Sequence, residues 1–500
     1  MKLRTFLWPF TILLLFSGAN LMAQVLAGNQ QISGKPKKAD YLNYVRKFAD
    51  NLLEHGQDNY GPRNTPMWAS VIDVENFSVP VRDVPPTKGV RPHDRALGGS
   101  NLYHDVVTMK VFDALSQVTG ESKYEDAARS YTQSFLRYAQ NPTTGLLGWG
   151  EHLFYNFYID TVSISESRIL DPRDYFGIPH ELIAWTPPWS RMWPIDQQAT
   201  QKAIEGLIYH YNGPDPKVYL FNRHAHWNKA EYQQEVMPWI KHAALYAYSF
   251  AFMYDQTNDK KWQQWSRDAG MLYWNLRDQE TELVFNCYYH ASETDAGKLA
   301  LVGGTALYSY WLYKASELNN IPEMKEAALS MLSAYDKHGW NEEKQGYFEN
   351  LNLDATIPEG TKLATPWKIG YGSSSVLVMG RVAAYLYQKE QQEFLREIAE
   401  KSARAVNSFP LPDKFTAQNI GEAINLNMDL YQITNKQQYL EKAREYAQIA
   451  IDHLWRNNFY LRQKNDRYYE AKLGIGDLAA GFMRIHLADN NQKSNQDWSF

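Results

Sequence analysis

Apolar positions along the chain follow two alternating patterns. After residue 123 they form one stripe at helical spacing, which is typical of a helix with one face in water. This stripe comprises Tyr124, Ala127, Ala128, Tyr131, Phe135 and Tyr138. The preceding stretch, residues 106–118, reads VVTMKVFDALSQV and is apolar on nearly all sides, so it predicts a buried helix. Buried helices recur in LVGGTALYSYWLY, SVLVMGRVAAYLY and NIGEAINLNMDLYQI.

Short polar turns join each buried helix to the half-exposed helix that follows. They lie at residues 119–124 (TGESKY), 257–262, 318–324, 388–394 and 434–439. Their irregular spacing indicates divergent helical hairpins instead of a strict short-period solenoid. Because two alternating helix types suit two concentric layers, we predict a mainly all-α fold, an α/α toroid of six or seven helical hairpins. The last buried helix, near residues 475–487, is expected to close the ring against the first, near residues 41–55.

The segments that lead from the outer to the inner helices are long and aromatic. They cover residues 56–100, 140–180, 211–236, 277–296 and 337–370. The predicted topology places all of them on one rim of the ring. Sequences such as ELVFNCYYH and QGYFENL predict short β segments within these loops.

The first residues differ from the rest of the chain. Lys2 and Arg4 precede the apolar run FLWPFTILLLF, and Ala23 follows as a cleavage point, so residues 1–23 read as a signal peptide. The run is shorter than the roughly 20 residues that span a bilayer. We therefore predict an exported, periplasmic or secreted protein without membrane insertion, and a single catalytic domain over residues 24–500.

Composition and missing motifs exclude several classes of function. The single cysteine, Cys287, allows no internal disulfide and no CxxC zinc site. A net charge of −5 gives no global basic field, so nucleic acid is not expected as a partner, and no obligate protein partner is evident. The chain has no GxSxG, Walker, GxGxxG or HExxH motif, so hydrolase and nucleotide-binding interpretations lack a motif.

Histidines mark the rim as the candidate site. Eight of the 13 lie in the long segments or at the start of the next helix. Such clustering of titratable groups is typical of functional sites. These eight are His93, His104, His152, His180, His224, His226, His290 and His338.

Residues 148–158, GWGEHLFYNFY, combine aromatic and titratable side chains in one connection. Trp149, Glu151, His152 and Tyr155 are of the types that build a sugar-binding cleft. The competing interpretation is that the aromatic residues cap the core and that His152 bonds a backbone carbonyl.

Residues 180–194, HELIAWTPPWSRMWP, form a second candidate segment that contains His180. Arg191 lies among Trp185 and Trp189, and a guanidinium fixed beside aromatic rings can hold a carboxylate or sulfate in a bidentate manner. Alternatively, Arg191 pairs with Glu181 and is structural.

Three further segments carry candidates. In FNRHAHWNKAEY, His224 and His226 could chelate a metal, but no third ligand is identifiable and the adjacent Arg223 favours anion binding, so no metal or cofactor is expected. In NCYYHASETD the candidates are Tyr289 and His290. SNLYHD places Asn101 and His104 at the start of the first inner helix, where helix N-termini favour negative ligands; the competing role of Asn101 is an ordinary N-cap.

The stretches DNYGPRNTPMW, RALGGSNLYHD, GWGEH and HELIAWTPPWSRMWP resemble those of exported bacterial α/α-toroid polysaccharide lyases, with the closest resemblance to ulvan lyases. The resemblance covers most of the chain after the signal peptide. It implies β-elimination in an anionic, sulfated polymer of rhamnose and uronic acids.

Elimination at a uronate requires a base, an acid and a group that neutralises the carboxylate. We predict His152 or His226 as base, Tyr155 or Tyr289 as acid, and Arg191 with Asn101 or His104 as the neutralising group. The predicted substrate-binding residues are Trp149, Glu151, His180, Trp185, Trp189, Arg223, His224 and His290.

Two other functions remain open at this point. A glycoside hydrolase acting on uronic-acid glycans would need two carboxylates about 5 to 10 Å apart. Candidates for that pair are Glu151, Glu181, Asp105 and Glu293. A non-catalytic glycan-binding protein is the third interpretation, although the cysteine expected after the signal of a lipid-anchored capture protein is absent.

Overall fold

The computed structural model describes residues 39–87, 90–164, 179–287, 298–368 and 374–499. Residues Tyr41–Phe500 form one compact unit, and Met1–Asp40 form the other, of which only residues 39 and 40 are described. The predicted signal peptide therefore lies outside the described residues, as do Tyr289, His290 and Glu293.

Fourteen helices follow one another in the described residues. They are α1 (Tyr41–His55), α2 (Leu102–Thr119), α3 (Lys123–Ala139), α4 (Trp189–Met192), α5 (Gln197–Glu205), α6 (Ile240–Thr257), α7 (Lys260–Asn275), α8 (Val302–Asn319), α9 (Pro322–Gly339), α10 (Ser375–Glu390), α11 (Glu393–Ser408), α12 (Ala417–Thr434), α13 (Gln437–Leu454) and α14 (Ile475–Asp489). Short 3₁₀ turns add to them at Pro92–Asp94, Gly206–His210 and Ala471–Leu473.

The long helices form two layers. Helices α2, α6, α8, α10, α12 and α14 are buried over most of their surface and make the inner layer, in which α6, α8, α10, α12, α14 and α2 are successive neighbours. Helices α1, α3, α7, α9, α11 and α13 bury one stripe each and make the outer layer. Helix α14 packs against both α2 and α1, which closes the ring. The predicted α/α toroid is confirmed, with six inner and six outer helices.

Close backbone approach and tight turns make this packing possible. A Cβ on Gly421 of α12 would lie 2.5 Å from the backbone nitrogen of Leu478 in α14, so only glycine allows the two inner helices to lie so near each other. Most inner helices end on a residue in the left-handed conformation, and glycine and asparagine adopt this conformation most readily. These C-caps include Gly120, Asn258, Asn320 and Asn435. After each of these four C-caps, the next outer helix begins within three residues, as the short polar turns predicted.

Short strands lie in the long connections at the opposite rim. They are β1 (Val71–Asp73), β2 (Gly99–Ser100), β3 (Leu153–Asn156), β4 (Thr161–Ile164), β5 (Pro179–His180), β6 (Ala225–His226), β7 (Ala300–Leu301), β8 (Trp340–Asn341), β9 (Gly346–Tyr347), β10 (Asn350–Leu351), β11 (Trp455–Arg456), β12 (Phe459–Tyr460) and β13 (Tyr468–Glu470). Strands β2, β3 and β4 form one antiparallel sheet, and β5 pairs with β6. The predicted segment QGYFENL contains β9 and β10, whereas the described part of ELVFNCYYH, residues 282–287, forms no strand and has only an isolated bridge between Cys287 and Trp239.

None of the described helices has the length and apolar character needed to cross a membrane.

Candidate functional site

Three carboxylates and three imidazoles meet at the rim where the inner helices begin. We call this set the imidazole–carboxylate cluster. It consists of Asp94, Glu151, His152, Glu181, His224 and His242. All six are buried. They come from the 3₁₀ turn before β2, the loop before β3, the residue after β5, the turn before β6 and the first turn of α6, so the cluster exists only in the folded chain.

Strand pairing brings two of these segments together. In the antiparallel pair of β5 and β6, Pro179 lies opposite His226 and His180 lies opposite Ala225. Continuing this register by one residue brings Glu181 beside His224, and their side chains are in contact. The strand pair therefore places a carboxylate against an imidazole from a segment more than 40 residues away.

Gly150 and Asn101 fix the loop that carries Glu151 and His152. Gly150 has a φ of +95°, and a Cβ there would lie 2.3 Å from the Glu181 carbonyl oxygen, so glycine is required for the two segments to approach. The Asn101 side-chain amide donates to the Gly150 carbonyl at 2.7 Å, while its side-chain oxygen accepts from the Tyr103 N–H as the N-cap of α2.

Glu181 is the centre of the cluster. Its Oε2 lies 3.2 Å from His224 Nε2 and 3.5 Å from His152 Nε2, and its Oε1 lies 3.0 Å from His242 Nε2. His152 Nε2 is also 3.2 Å from Glu151 Oε1, and His152 Nδ1 is 3.6 Å from Asp94 Oδ1. One ligand atom each from His152, Glu181 and His224 thus lie close together, while Asp94 faces the other nitrogen of His152.

The surroundings separate the two glutamates electrostatically. Burial tends to raise the pKa of Glu181, but the adjacent His224 and hydrogen bonds from three imidazoles hold this pKa well below its usual range. Burial and the nearby Glu181 charge raise the pKa of Glu151 to about 7. Arg91 offsets part of this effect, because its Nη2 lies 2.8 Å from Glu151 Oε1 and its Nε lies 2.7 Å from Asp94 Oδ2.

The cluster has the donors of a divalent metal site. Ligand atoms of His152, Glu181 and His224 all lie within 4.8 Å of one another, as do those of Asp94, Glu151 and His152. Atoms bound at about 2.1 Å to a shared ion are separated by roughly 3.0 to 3.4 Å, close to the distances between Glu181 Oε2 and the two imidazoles. Two imidazoles and a carboxylate suit first-row divalent ions. Asp94 and His242 hydrogen-bond or face these ligands as outer partners do in metal sites.

His180, which precedes Glu181, is held by a chain of buried hydrogen bonds. His210 Nδ1 donates to the Asn222 carbonyl at 3.0 Å, so its Nε2 accepts from His180 Nδ1 at 2.8 Å. Burial lowers the pKa of His180 to about 3 and that of His210 well below its usual range, so both rings are neutral. This chain of hydrogen bonds holds β5 and thereby Glu181 in place.

A cavity of about 510 Å³ opens beside the cluster and extends into the ring. Glu151, Tyr103, His104 and Lys241 line it near the cluster, and Trp185, Trp189, Trp239 and Trp311 provide aromatic walls. Among the described residues of the lining, six are cationic and four are acidic. The cations are Lys110, Lys241, Lys314, Lys368, Arg381 and Lys472, and the acids are Glu151, Glu422, Asp477 and Asp497.

Several of the residues predicted from the sequence meet at this site. Glu151, His152 and His224 belong to the cluster, and Trp185 and Trp189 line the cavity. Trp149 is fully buried, with its ring 5.4 Å from that of Tyr103. His104 lines the cavity, but burial holds its pKa well below the usual range, so the ring is uncharged and does not suit carboxylate neutralisation.

Other predicted residues lie elsewhere or have structural partners. Arg191 pairs with Asp113, not with Glu181, and lines a separate cavity of about 450 Å³. The Tyr155 hydroxyl contacts Asp160 and Arg63. Asn101 uses its side chain as a cap and loop anchor.

The remaining candidates of the third segment are near the cluster without joining it. His226 is part of β6, where it pairs with Pro179, and is not among the described residues that line the cavity. The Arg223 guanidinium lies 5.6 Å from the centroid of the Trp239 ring. Tyr289 and His290 lie outside the described residues.

Sequence reasoning missed several members of the site. His242 and Lys241 begin an inner helix at the same rim as His104, and this position is the signal that could have identified them. Asp94 and Arg91 have no distinctive local pattern. Lys472 lines the cavity from the 3₁₀ turn before α14, more than 200 residues along the chain from the cluster, and no local signal indicates it.

Residues 79–300 match the family model described as periplasmic pectate lyase. The match includes all six residues of the imidazole–carboxylate cluster. It supports an enzyme that acts on polysaccharides, and its description agrees with the predicted export. The resemblance to ulvan lyases has no counterpart in this match.

Solved structures with a similar chain course include three sugar enzymes. A family 76 α-mannanase from Bacteroides thetaiotaomicron has 9% identity and a TM-score of 0.46, over 91% of this chain and 96% of that chain. A cellobiose 2-epimerase from Bacillus thermoamylovorans has 7% identity and a TM-score of 0.49, over 89% of this chain and 99% of that chain. A D-mannose isomerase has 9% identity and a TM-score of 0.47, over 90% and 98% of the two chains.

Proposed function

We propose that the protein is a lyase that cleaves a uronic-acid-containing polysaccharide by β-elimination. The observation that carries this proposal is the position of the imidazole–carboxylate cluster at the edge of a cavity with more cations than acids and aromatic walls. Ammonium groups attract uronate carboxylates, and aromatic rings pack against sugar faces. The match to a pectate lyase family model over the same residues supports the same reaction.

Lys241 and Lys472 are the cations nearest the cluster. Electrostatic interactions link Lys241 to Glu181 and Glu151, and link Lys472 to Glu151 and Asp94. Lys241 makes no ion pair or hydrogen bond with the described part of the chain, so its Nζ is available to a ligand in the cavity. We propose that Lys472 binds the substrate carboxylate. We place Lys241 next to the uronate from which the proton is removed.

The reaction removes the proton on C5 of the uronate. The electron pair of the C5–H bond becomes the second bond between C4 and C5. The bond between C4 and O4 breaks, and O4 takes up a proton as it leaves. We propose Lys241 Nζ, in its neutral form, as the proton acceptor. Burial and the nearby Arg223 and Lys368 lower the pKa of Lys241, against the opposing effect of Glu181 and Glu151, which increases the neutral fraction.

We propose Tyr103 as the proton donor to O4. Burial and the charges of Glu151 and Glu181 raise the pKa of Tyr103 strongly, so its hydroxyl stays protonated beside the cavity. These assignments replace His152 and Tyr155, whose side chains are engaged in the cluster and with Asp160 respectively.

His152, Glu181 and His224 would hold a divalent ion. Such an ion, when bound, would supply positive charge at the edge of the cavity next to Glu151, where it would stabilise the negative charge that develops as the C5 proton leaves. Asp94 orients His152, and His242 orients Glu181.

The hydrolase alternative would use a pair of carboxylates on either side of a sugar. Glu181 is enclosed by three imidazoles and is not among the residues of the cavity lining. Asp105 is buried and accepts a hydrogen bond from the Tyr131 hydroxyl at 2.9 Å. Both features favour elimination over hydrolysis.

The test is a screen of polygalacturonate, ulvan and alginate for the ultraviolet absorbance of an unsaturated uronate. The family description favours polygalacturonate, and the sequence resemblance favours ulvan. Each polymer is tested after removal of metal by a chelator and again after addition of Mn²⁺, Mg²⁺ or Ca²⁺. An absorbance increase with at least one polymer is expected. New reducing ends without that absorbance would refute the proposal in favour of a hydrolase.

A further inference from the structure

Residues 490–499 enter the ring from the end opposite the cluster. Gln117, near the end of α2, marks the point of entry. Its Nε2 donates to the Lys493 carbonyl at 3.4 Å, and its Oε1 accepts from the Asn495 N–H at 3.3 Å. The inner helices end at this rim, so the segment starts at the far opening of the ring.

Further along, the segment bonds to three different inner helices. Lys110 of α2 donates to the Asp497 carbonyl at 2.9 Å, and Lys314 of α8 lies 3.0 Å from Asp497 Oδ2. Arg381 of α10 donates to the Trp498 carbonyl at 2.6 Å. Because α8 and α10 adjoin each other while α2 lies across several inner helices from them, the segment spans the lumen.

Polar contacts fix this segment inside the protein. The hydroxyls of Ser499 and Tyr310 lie 2.8 Å apart, and Ser499 is only 7% exposed. The ammonium groups of Lys314 and Lys110 hold the pKa of Asp497 below its usual range despite its burial. The carboxylate is therefore charged and paired with lysine inside the ring.

Asp497, Lys110, Lys314 and Arg381 line the same cavity as Glu151. From the start of α2 to Lys110, eight residues at a rise of about 1.5 Å give a depth of roughly 12 Å. The cavity thus extends from the cluster to the residue 490–499 segment. Its volume of about 510 Å³ is that of a pocket for one small ligand, in the range of about 300 to 1,000 Å³.

We infer that residues 490–499 form the floor of a blind substrate pocket, so that the enzyme attacks the end of a polyuronate chain and releases short products of uniform length. This inference rests on the proposed lyase function and adds the mode of attack. A chain end with its carboxylates enters past the cluster and stops at the floor. The floor, not the chemistry of the cluster, sets the number of sugars released.

The first test uses the full-length protein and the polymer that gives unsaturated product. Chromatography of the earliest products, with solution viscosity measured in parallel, distinguishes the two modes. We expect one short oligosaccharide from the start and a slow loss of viscosity. A ladder of sizes with a rapid loss of viscosity would overturn the inference but leave the lyase proposal intact. If no polymer yields unsaturated product, the lyase proposal itself fails, and the inference fails with it.

A shortened chain tests the role of the floor. Truncation after Gln492 keeps the cap of α14, where the Gln492 N–H donates to the Leu487 carbonyl, and removes the residues that span the lumen. A variant that keeps its circular dichroism and thermal transition should release longer products. Unchanged product length in that folded variant would refute the role of the segment. Lys344→Ala is the control, because this exposed side chain near β9 lies outside the segment and outside the lining of both described cavities. If the shortened chain does not fold, the product pattern of the full-length protein still decides the mode of attack.

Discussion

His242 Nε2 lies 3.0 Å from Glu181 Oε1, while the other oxygen of Glu181 faces His224 and His152. Burial lowers the pKa of His242 to about 4, so the ring is neutral and donates its single N–H to the carboxylate. This hydrogen bond fixes the direction in which Glu181 Oε2 points. His242 is therefore a positioning residue for the candidate metal site.

Replacing His242 should weaken ion binding without removing a ligand. Outer partners of metal ligands typically contribute 10- to 100-fold to affinity, so His242→Ala should lower the affinity for Mn²⁺ by about that factor. Glu181→Gln, which changes a ligand, should lose more. Titration calorimetry measures the affinity, and the rise in thermal transition temperature with excess Mn²⁺ provides a second readout.

His338→Ala serves as the control for this series, because His338 is on the outer helix α9 and is not part of the cluster. It should bind Mn²⁺ as the unmodified protein does. Equal Mn²⁺ affinity in the unmodified protein and Glu181→Gln would contradict the assignment of the metal ligands.

Lys241 has two possible roles, charge neutralisation and proton transfer, which an arginine substitution separates. Lys241→Arg keeps a positive charge but cannot accept a proton near neutral pH. If Lys241 is the proton acceptor, kcat should fall by about 10²- to 10⁴-fold while KM changes little. Lys241→Ala should lose activity and also raise KM.

The comparison requires a lysine outside the site, and Lys344, exposed near β9, is suitable. Lys344→Arg should keep both kinetic constants. A Lys241→Arg variant with an unchanged kcat would show that Lys241 contributes only positive charge, and the proton acceptor would have to be sought elsewhere in the lining.

The sequence allowed prediction of the toroid, because the contrast between one-sided and all-round apolar helices directly reflects two layers. It also placed Glu151, His152 and His224 correctly among the rim residues. The connecting residues 148–158 and 221–232 have a local composition that is unusual for loops, and this composition is visible without any tertiary information.

The composition of the site depended on contacts that the sequence does not encode locally. His224 and His226 should lie on the same side of an extended chain, yet the strand covers only Ala225–His226, and the His224 N–H bonds to the Asn222 side chain in a turn. His224 is therefore directed to Glu181 without His226. The partner of Arg191 was likewise not predictable, because Asp113 lies on the inner helix α2 and no spacing rule connects the two residues.

Asp105 should make stability depend on pH. Burial raises its pKa to about 8, despite the opposing hydrogen bond from Tyr131. In the unfolded chain this group ionises with its ordinary pKa of 3.8, so the unfolded state gains stability relative to the folded state as pH rises from about 4 to about 8, and the effect levels off above pH 8. Asp105→Asn removes the ionisation and should therefore become more stable relative to the unmodified protein as pH rises through this window.

The measurement is the thermal transition temperature of both proteins at pH 5, 6, 7 and 8. The difference should grow by up to about 1.4 kcal/mol of unfolding free energy per pH unit. Asp126→Asn, at an exposed position of α3, should give a constant difference. Parallel curves for Asp105→Asn and the unmodified protein would show that Asp105 is ionised in the folded state.

Glu470 links early and late parts of the chain, at the point where the ring closes, through a buried ion-pair network with Arg95 and Arg462. Its carboxylate receives hydrogen bonds at 2.8 Å from Arg95 Nε and Nη2 and from Arg462 Nη1, and all three side chains are at most 5% exposed. Strand β13, which contains Glu470, also pairs with β1. Glu470→Ala would leave the buried Arg95 guanidinium without its carboxylate, while Arg462 would keep only its pair with Asp466, so we expect a loss of about 3 to 5 kcal/mol in unfolding free energy. Glu445→Ala removes an exposed pair with Lys442 and should cost less than about 1 kcal/mol. Denaturant unfolding of both variants measures the contrast, and equal small losses would mean that water or other groups compensate the two arginines.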